Sequence, residues 1–474
     1  MEKTNVPHVV FLPFPAEGHI KPTMRLAELL NHAGSQVTFV NTDYTHDRLM
    51  SHTDLMTSFH DRSPKFLFRS IPDGLRIDKL RSLLNLKDLL ESLKAVAGPA
   101  FRQLLISISP CPTCIIVDGV MSFAAIDVAE ELGIPVMAFR TQNASCLWTY
   151  FHLSKLVEEG EVPFPDENMD KSITCIPGFE NVLRRRDLPT MCRVKTAEDP
   201  LLHFFIEQIS FTTRASALIL HTFDELEEPI ISRLGSVYSK VYAIGPLHTL
   251  VNTRIKGSSS PSDSSHSSLW KEDRSCMTWL DSQPSRSVIY VSFGSLVSLT
   301  RDQVLEFRHG LVNSGKPFLW VIRPDLIVGV SGIDHDPMEF ESGIKGRGFL
   351  VSWAPQEEVL AHPAVGGFLT HCGWNSTLES IVAGVPMICW PQISDQPVNS
   401  RCVSEVWKIG FDMKDPCDRS TVEKFVRDLM DNMSGEIMVS TDKIAKLARD
   451  SVKEDGSSYI NLEKLIEDIR SLSL

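Results

Sequence analysis

Residues 8–40 read HVVFLPFPAEGHIKPTMRLAELLNHAGSQVTFV. His8 to Phe14 is a β-prone apolar run. After a Pro/Gly loop, Lys21 to Gly34 carries Pro22 in an opening turn, apolar Met24, Ala27 and Leu30 at helical spacing, and a closing Gly34. Gln36 to Val40 is β-prone again. Strand, helix and strand within about 33 residues form a βαβ unit, and a crossover of that kind joins parallel strands.

The same alternation recurs outward from this unit. Cys114 to Val117 and Ile134 to Phe139 flank a helical stretch from Ser122 to Leu132. In the second half, Ser287–Ser292, Phe318–Ile322, Gly348–Val351, Gly367–Thr370 and Val385–Cys389 are strand candidates separated by helical stretches such as Arg301 to Val312. The expected fold class is therefore α/β, with two doubly wound domains. A Ser-rich stretch from Lys256 to Ser268 cannot bury a core and is expected to be a mobile linker. The expected division is 1–248 for the first domain, 249–269 for the linker and 270–455 for the second domain. Within 456–474, Asn461 to Leu472 alternates apolar and charged positions as a final helix, and the pattern leaves open which domain it packs on.

Composition narrows the function. With 474 residues, 43% of them hydrophobic, the chain can bury a substantial core. Its 47 basic and 60 acidic residues give a net charge of −13, which argues against nucleic acid or anionic lipid as a partner. The 10 cysteines are irregularly spaced, which suits a reducing, cytoplasmic setting. Cys111-Pro-Thr-Cys114 precedes a strand and does not open a helix, so it reads as structural and neither redox-active nor zinc-binding. No apolar run of about 18 residues indicates a membrane span, and the first residues lack a cleavable leader.

In open parallel sheets, ligands bind at loops that leave the carboxyl ends of strands. Those loops are 13–19, 118–120 and 140–143 in the first half, and 292–295, 371–376 and 390–396 in the second. The turn from His371 to Ser376 contains Gly373 and polar donors ahead of a helix, which suits phosphate; ordinary capping by Asn375 or Ser376 is the alternative. His19 is placed on a βα loop, where a base or a plain loop histidine would both fit. Asp118, after a strand, reads equally as a helix cap. Dinucleotide, P-loop and nucleophile-elbow fingerprints are missing from the sequence.

From Trp353 to Gln396 the chain begins WAPQEEVLAHPAVGGFLTHCGWNSTLE and ends WPQISDQ. This stretch resembles the donor-sugar box of plant family 1 UDP-dependent glycosyltransferases. GHIKP near the start, Asp118, Ile244-Gly-Pro246 and Ser292-Phe-Gly-Ser295 extend the likeness along the chain. The resemblance implies a GT-B fold, two Rossmann-like domains facing across a cleft, in a monomer that closes on its substrates.

The resemblance also implies residue roles. Trp353 would stack on uracil, Ala354 and Gln356 would meet its edge, and Glu379 would bind the ribose. Ser295, His371, Gly373, Asn375 and Ser376 would hold the diphosphate without a metal, UDP-glucose being a co-substrate and no cofactor being needed. Thr141, Trp374, Asp395 and Gln396 would face the sugar, with Gln396 favouring glucose and Trp374 disfavouring glucuronate. His19 would be the base that activates the acceptor, oriented by Asp118, and the product an inverted β-glycoside. Arg140 and Gln142 beside Thr141, and Ile393-Ser394, depart from the commonest pattern. Ile176-Pro-Gly and Arg185 to Pro189 look most like the branch that glucosylates terpenoids, including iridoids, with phenolics such as flavonoids as the second acceptor class. A catalytically silent binder using the same pocket is the competing reading.

Overall fold

The computed structural model describes residues 6–52, 65–76, 86–164, 166–256, 270–327, 344, 346–413, 417–431 and 435–473. The Ser-rich stretch from 257 onward lies outside them. The chain divides into two compact units, one made of 1–165, 191–269 and 448–474, the other of 166–190 and 270–447.

In the first unit, β1 (His8–Leu12), β2 (Gln36–Thr42), β3 (Phe66–Ile71), β4 (Cys114–Asp118), β5 (Val136–Arg140), β6 (Ala217–Leu220) and β7 (Val241–Ala243) form a sheet in the order β3-β2-β1-β4-β5-β6-β7. Every neighbouring pair is parallel. Val9 and Phe11 enter one apolar cluster and Val10 and Leu12 the other, so both faces of β1 are buried. That is why its sequence is a continuous apolar run without polar alternation. Helix Glu17–His32 covers one face, while helices Leu86–Ser107 and Ser122–Leu132 cover the other. The final helix, Ser457–Ser471, buries Leu462, Leu465, Ile466 and Ile469 in the same cluster as Val9 and Phe11. Its Ser458 hydroxyl donates to the carbonyl of Gly245, and Asn461 Nδ2 donates to Ala243 O at 3.1 Å.

In the second unit, β8 (Val288–Ser292), β9 (Phe318–Val321), β10 (Gly348–Val351), β11 (Val365–Thr370), β12 (Met387–Cys389) and β13 (Gly410–Asp412) form a parallel sheet in the order β10-β9-β8-β11-β12-β13. Ile289, Val291 and Trp320 pack with Phe307 and Leu311 of helix Arg301–Ser314 and with Val422 and Val426 of helix Arg419–Asp431. Thr300 opens the former helix with a reciprocal cap to Gln303.

The units depart from the expected boundaries in three places. Residues 249–256 do not open a linker, because helix Leu247–Val251 buries Leu250 and Val251 in the first core. Asp166–Thr190 joins the second unit, held there by ion pairs of Arg184 to Asp412 (3.6 Å) and of Asp187 to Arg401 (3.5 Å). The second unit ends at Leu447, inside helix Glu436–Ser451, where 455 was expected. The first helix also starts earlier than expected: Ala16 is its extended cap and Pro22 lies inside it. His19 therefore belongs to a helical first turn and not to a loop.

Candidate active site

In both sheets the order in which strands are added reverses beside the first strand, between β1 and β4 in one and between β8 and β11 in the other. Such a switch leaves an open crevice at the carboxyl edge. The expected residues fall at these two edges.

In the first unit, β4 ends on Asp118, which is 2% exposed, and helix Glu17–His32 presents His19 to it. Asp118 Oδ2 lies 2.7 Å from His19 Nδ1, while Oδ1 accepts the N–H of Val120 at 2.8 Å. The aspartate thus both caps the turn Gly119–Met121 and holds the imidazole. A carboxylate only accepts, so the neutral ring carries its proton on Nδ1 and its lone pair on Nε2. Thr141, expected near the sugar, has its Oγ1 3.1 Å from that same Nδ1 and can only share the proton as a second acceptor. Phe14 meets the ring edge-on with centroids 5.2 Å apart.

Arg140, at the end of β5, is fully buried with its guanidinium against the Gly119 backbone, and Nη2 donates to Thr212 Oγ1 at 3.1 Å. Burial lowers its pKa. This departure from the commonest pattern is a packed residue behind Asp118.

In the second unit, Trp353 follows β10 and stacks on Trp270 with centroids 5.8 Å apart. Ala354 is buried beside it. Gln356 spends its side chain internally: Nε2 donates to Ser376 Oγ at 2.9 Å and to Glu379 Oε2 at 2.7 Å, and Oε1 accepts from Tyr290 at 3.2 Å. Three expected residues are thereby one network, and the Gln356 amide group has no hydrogen left for a base edge. Tyr290 was missed because nothing in a buried strand marks one tyrosine as polar-bonded.

The loops after β8 and β11 meet at His371. A Cβ on Gly294 or Gly373 would overlap His371 Nε2, and Gly294 has a φ of +70° that favours glycine. Ser295 follows on this loop, half-buried. Burial, with the Arg323 guanidinium, lowers the His371 pKa to about 4, so the ring is neutral at pH 7. Helix Trp374–Ala383 starts after Gly373 with no side chain capping it. Neither Asn375 nor Ser376 serves as its cap; Ser376 receives the Gln356 amide instead. Trp374, expected at the sugar, is buried and packs against Trp407 at 5.9 Å.

Asp395 and Gln396 open helix Gln396–Arg401. Asp395 Oδ2 accepts from Asn399 Nδ2 at 2.7 Å, and the same nitrogen donates to Cys372 O at 2.8 Å. Asn399, which sequence reasoning missed, so ties the 390–396 loop to the 371–376 loop. Gln396 Oε1 accepts from the N–H groups of Gln392 and Ile393 at 2.8 and 3.0 Å, leaving its NH2 group to donate.

Among the described residues no cluster of His, Cys, Asp and Glu is placed to hold a metal, and no helix is long and apolar enough to cross a membrane. The 10 cysteines are reduced thiols. Burial pushes the Cys114 thiol up to about 12, which fits a structural and not a redox role.

The chain matches the family UDP-glucoronosyl and UDP-glucosyl transferase over residues 114–434. It is 50% identical to 7-deoxyloganetic acid glucosyltransferase of Catharanthus roseus across 99% of both chains. It is 48% identical to mogroside I-A1 synthase of Siraitia grosvenorii, covering 94% of this chain and 85% of that one. The crystal structure of Medicago truncatula UGT71G1 complexed with UDP-glucose superposes with a TM-score of 0.79 at 28% identity, covering 99% of each chain. The chain belongs to the UDP-glucoronosyl and UDP-glucosyl transferase family, as a plant family 1 UDP-glycosyltransferase of the GT-B fold. It is an enzyme of glycosyl transfer.

Proposed function

We propose that this protein transfers glucose from UDP-glucose, with inversion, to a hydroxyl or carboxyl group of a small apolar plant metabolite, an iridoid-like terpenoid first. The observation that carries the chemistry is the 2.7 Å contact of Asp118 with His19 Nδ1, which leaves Nε2 as the basic nitrogen. As the acceptor oxygen attacks the anomeric carbon, its proton passes to Nε2 and the bond from that carbon to UDP breaks. Asp118 stabilises the imidazolium that forms. The product is a β-glucoside and the second product is UDP.

The donor side follows from the second unit. Uracil stacks on the face of Trp353 opposite Trp270, and Glu379, steadied by Gln356, accepts from the ribose. Since the Gln356 side chain is engaged, backbone at Ala354 and Gln356 meets the base edge. The uncapped amides of helix Trp374–Ala383, the hydroxyls of Ser295 and Ser376, Asn375 and neutral His371 supply donors to the diphosphate as its charge grows, so no metal or other cofactor is required. Asp395 and the Gln396 NH2 group bind sugar hydroxyls. Ten reduced thiols support a cytoplasmic setting.

The acceptor class rests on the activities named for the Catharanthus and Siraitia relatives. The experiment is mass spectrometry of purified protein with UDP-glucose and a pool of terpenoid and phenolic hydroxyl and carboxyl compounds, with His19→Ala in parallel. A His19-dependent hexose adduct on a terpenoid is expected. An adduct confined to phenolics would replace the acceptor class, and UDP-glucose binding without any transfer would leave the donor site standing and place the acceptor outside the pool.

A further inference from the structure

The segment Asp166–Thr190 grips helix Gln396–Arg401 near both ends. Ahead of its first turn, the Ser394 N–H donates to Thr190 Oγ1 at 2.8 Å, and the Thr190 N–H donates back to Ser394 O at 3.1 Å. At its last residue, Arg401 Nε donates to Val182 O at 2.7 Å and lies 3.5 Å from Asp187. Asp187 is 3% exposed and is fixed in turn by Arg184 Nε at 2.7 Å. The grip joins positions 204 residues apart in sequence.

Ser394 needs such a grip. Its φ of +55° is left-handed, a conformation that strains a residue other than glycine. A strained residue of this kind persists only where its surroundings over-determine it. From the other side, Gln396 Oε1 gathers the N–H groups of Gln392 and Ile393. The next residue, Asp395, depends on the same turn for its direction.

We infer that Thr190 is a positioning residue for the donor sugar: by clasping Ser394 it sets where Asp395 and the Gln396 NH2 group meet the sugar hydroxyls. This rests on the reading that those two residues hold the sugar. Glucose and galactose differ only in the direction of one hydroxyl, so a displaced turn blurs the distinction between them while the diphosphate site, built from other loops, is unaffected.

Calorimetric binding of UDP-glucose, UDP-galactose and UDP to the full chain tests it without knowledge of the acceptor. Thr190→Val removes the Oγ1 acceptor at nearly equal volume, and Thr190→Ser keeps it. Gln396→Glu keeps an oxygen for the Gln392 and Ile393 N–H groups and removes the NH2 donor, so it reports on the sugar contact itself. Thr190→Val is expected to weaken UDP-glucose about fivefold, the effect of one lost hydrogen bond, and to narrow its margin over UDP-galactose, with UDP unchanged and Thr190→Ser like wild type. If Thr190→Val matches wild type while Gln396→Glu loses the margin, the clasp is overturned and the sugar contact stands. Equal weakening of UDP and UDP-glucose by Thr190→Val would also overturn it, showing a merely structural role. No change in Gln396→Glu would overturn the sugar contact and the clasp with it.

Discussion

Asp118 holds His19 with one oxygen and the backbone of Val120 with the other, so the imidazole is tied to the end of β4 at a fixed tautomer. Replacing Asp118 by Asn keeps the shape and removes the charge. With a hydroxyl acceptor we expect kcat to fall about 10²-fold to 10⁴-fold, while UDP affinity is unchanged. Steady-state kinetics beside UDP titration checks both.

The chemical nature of the acceptor decides how much His19 matters. A hydroxyl must lose its proton during attack, whereas a carboxyl group is already ionised at pH 7. His19→Ala should cost about 10³-fold or more with a hydroxyl acceptor and far less with a carboxylate. Comparing the two products by chromatography, with mild alkali to cleave the ester, separates the cases.

Gly294 and Gly373 close on His371 from two loops. Gly294→Ala places a methyl group against Nε2 at a residue with φ of +70°. The loop must shift, and UDP affinity should fall about tenfold or more. A variant that binds UDP like wild type by calorimetry would contradict this arrangement.

His371 should also shape acid stability. Its pKa is about 4 when folded against the ordinary 6.5 when unfolded. The unfolded chain therefore takes up a proton first as pH drops below 6.5, and stability is lost down to about pH 4 before this contribution levels off. The loss is at most about 3 kcal/mol. Urea unfolding at pH 7 and pH 4.5 should show a smaller drop for His371→Gln than for wild type.

Leu465 of the final helix is completely buried in the core beneath β1. Leu465→Ala should destabilise the first unit by about 2–5 kcal/mol, read from its thermal or denaturant transition. An unchanged transition would mean that the helix is not part of that unit's cooperative core.

Much of the architecture could be read from β1, β4 and β8, since strands buried on both faces are written as nearly unbroken apolar runs. β7 and β13, each only 3 residues long, and β3, which is partly exposed, carry no such signal. The first helix was placed late because Pro22 suggests an opening turn, whereas the chain begins coiling at Glu17 without a side-chain cap. In the site, spacing and resemblance point to the residues but not to how their hydrogen bonds are spent. Gln356 and Gln396 each commit a side-chain carbonyl, and Gln356 its NH2 group as well, to partners visible only in three dimensions. The run Arg184–Arg186 is spent on ion pairs that spacing does not reveal: Arg184 is met by Asp170, Asp187 and Asp412, and Arg186 by Asp170.

The final helix also bears on the order in which the chain matures. Beside helix Glu17–His32, one face of the first sheet is covered by Leu462, Leu465, Ile466 and Ile469, which are synthesised after the second unit. The second unit ends earlier, at Leu447. Although synthesis ordinarily lets the N-terminal domain fold first, here the half begun earliest is finished last, and its apolar face waits for the ribosome to deliver the cover.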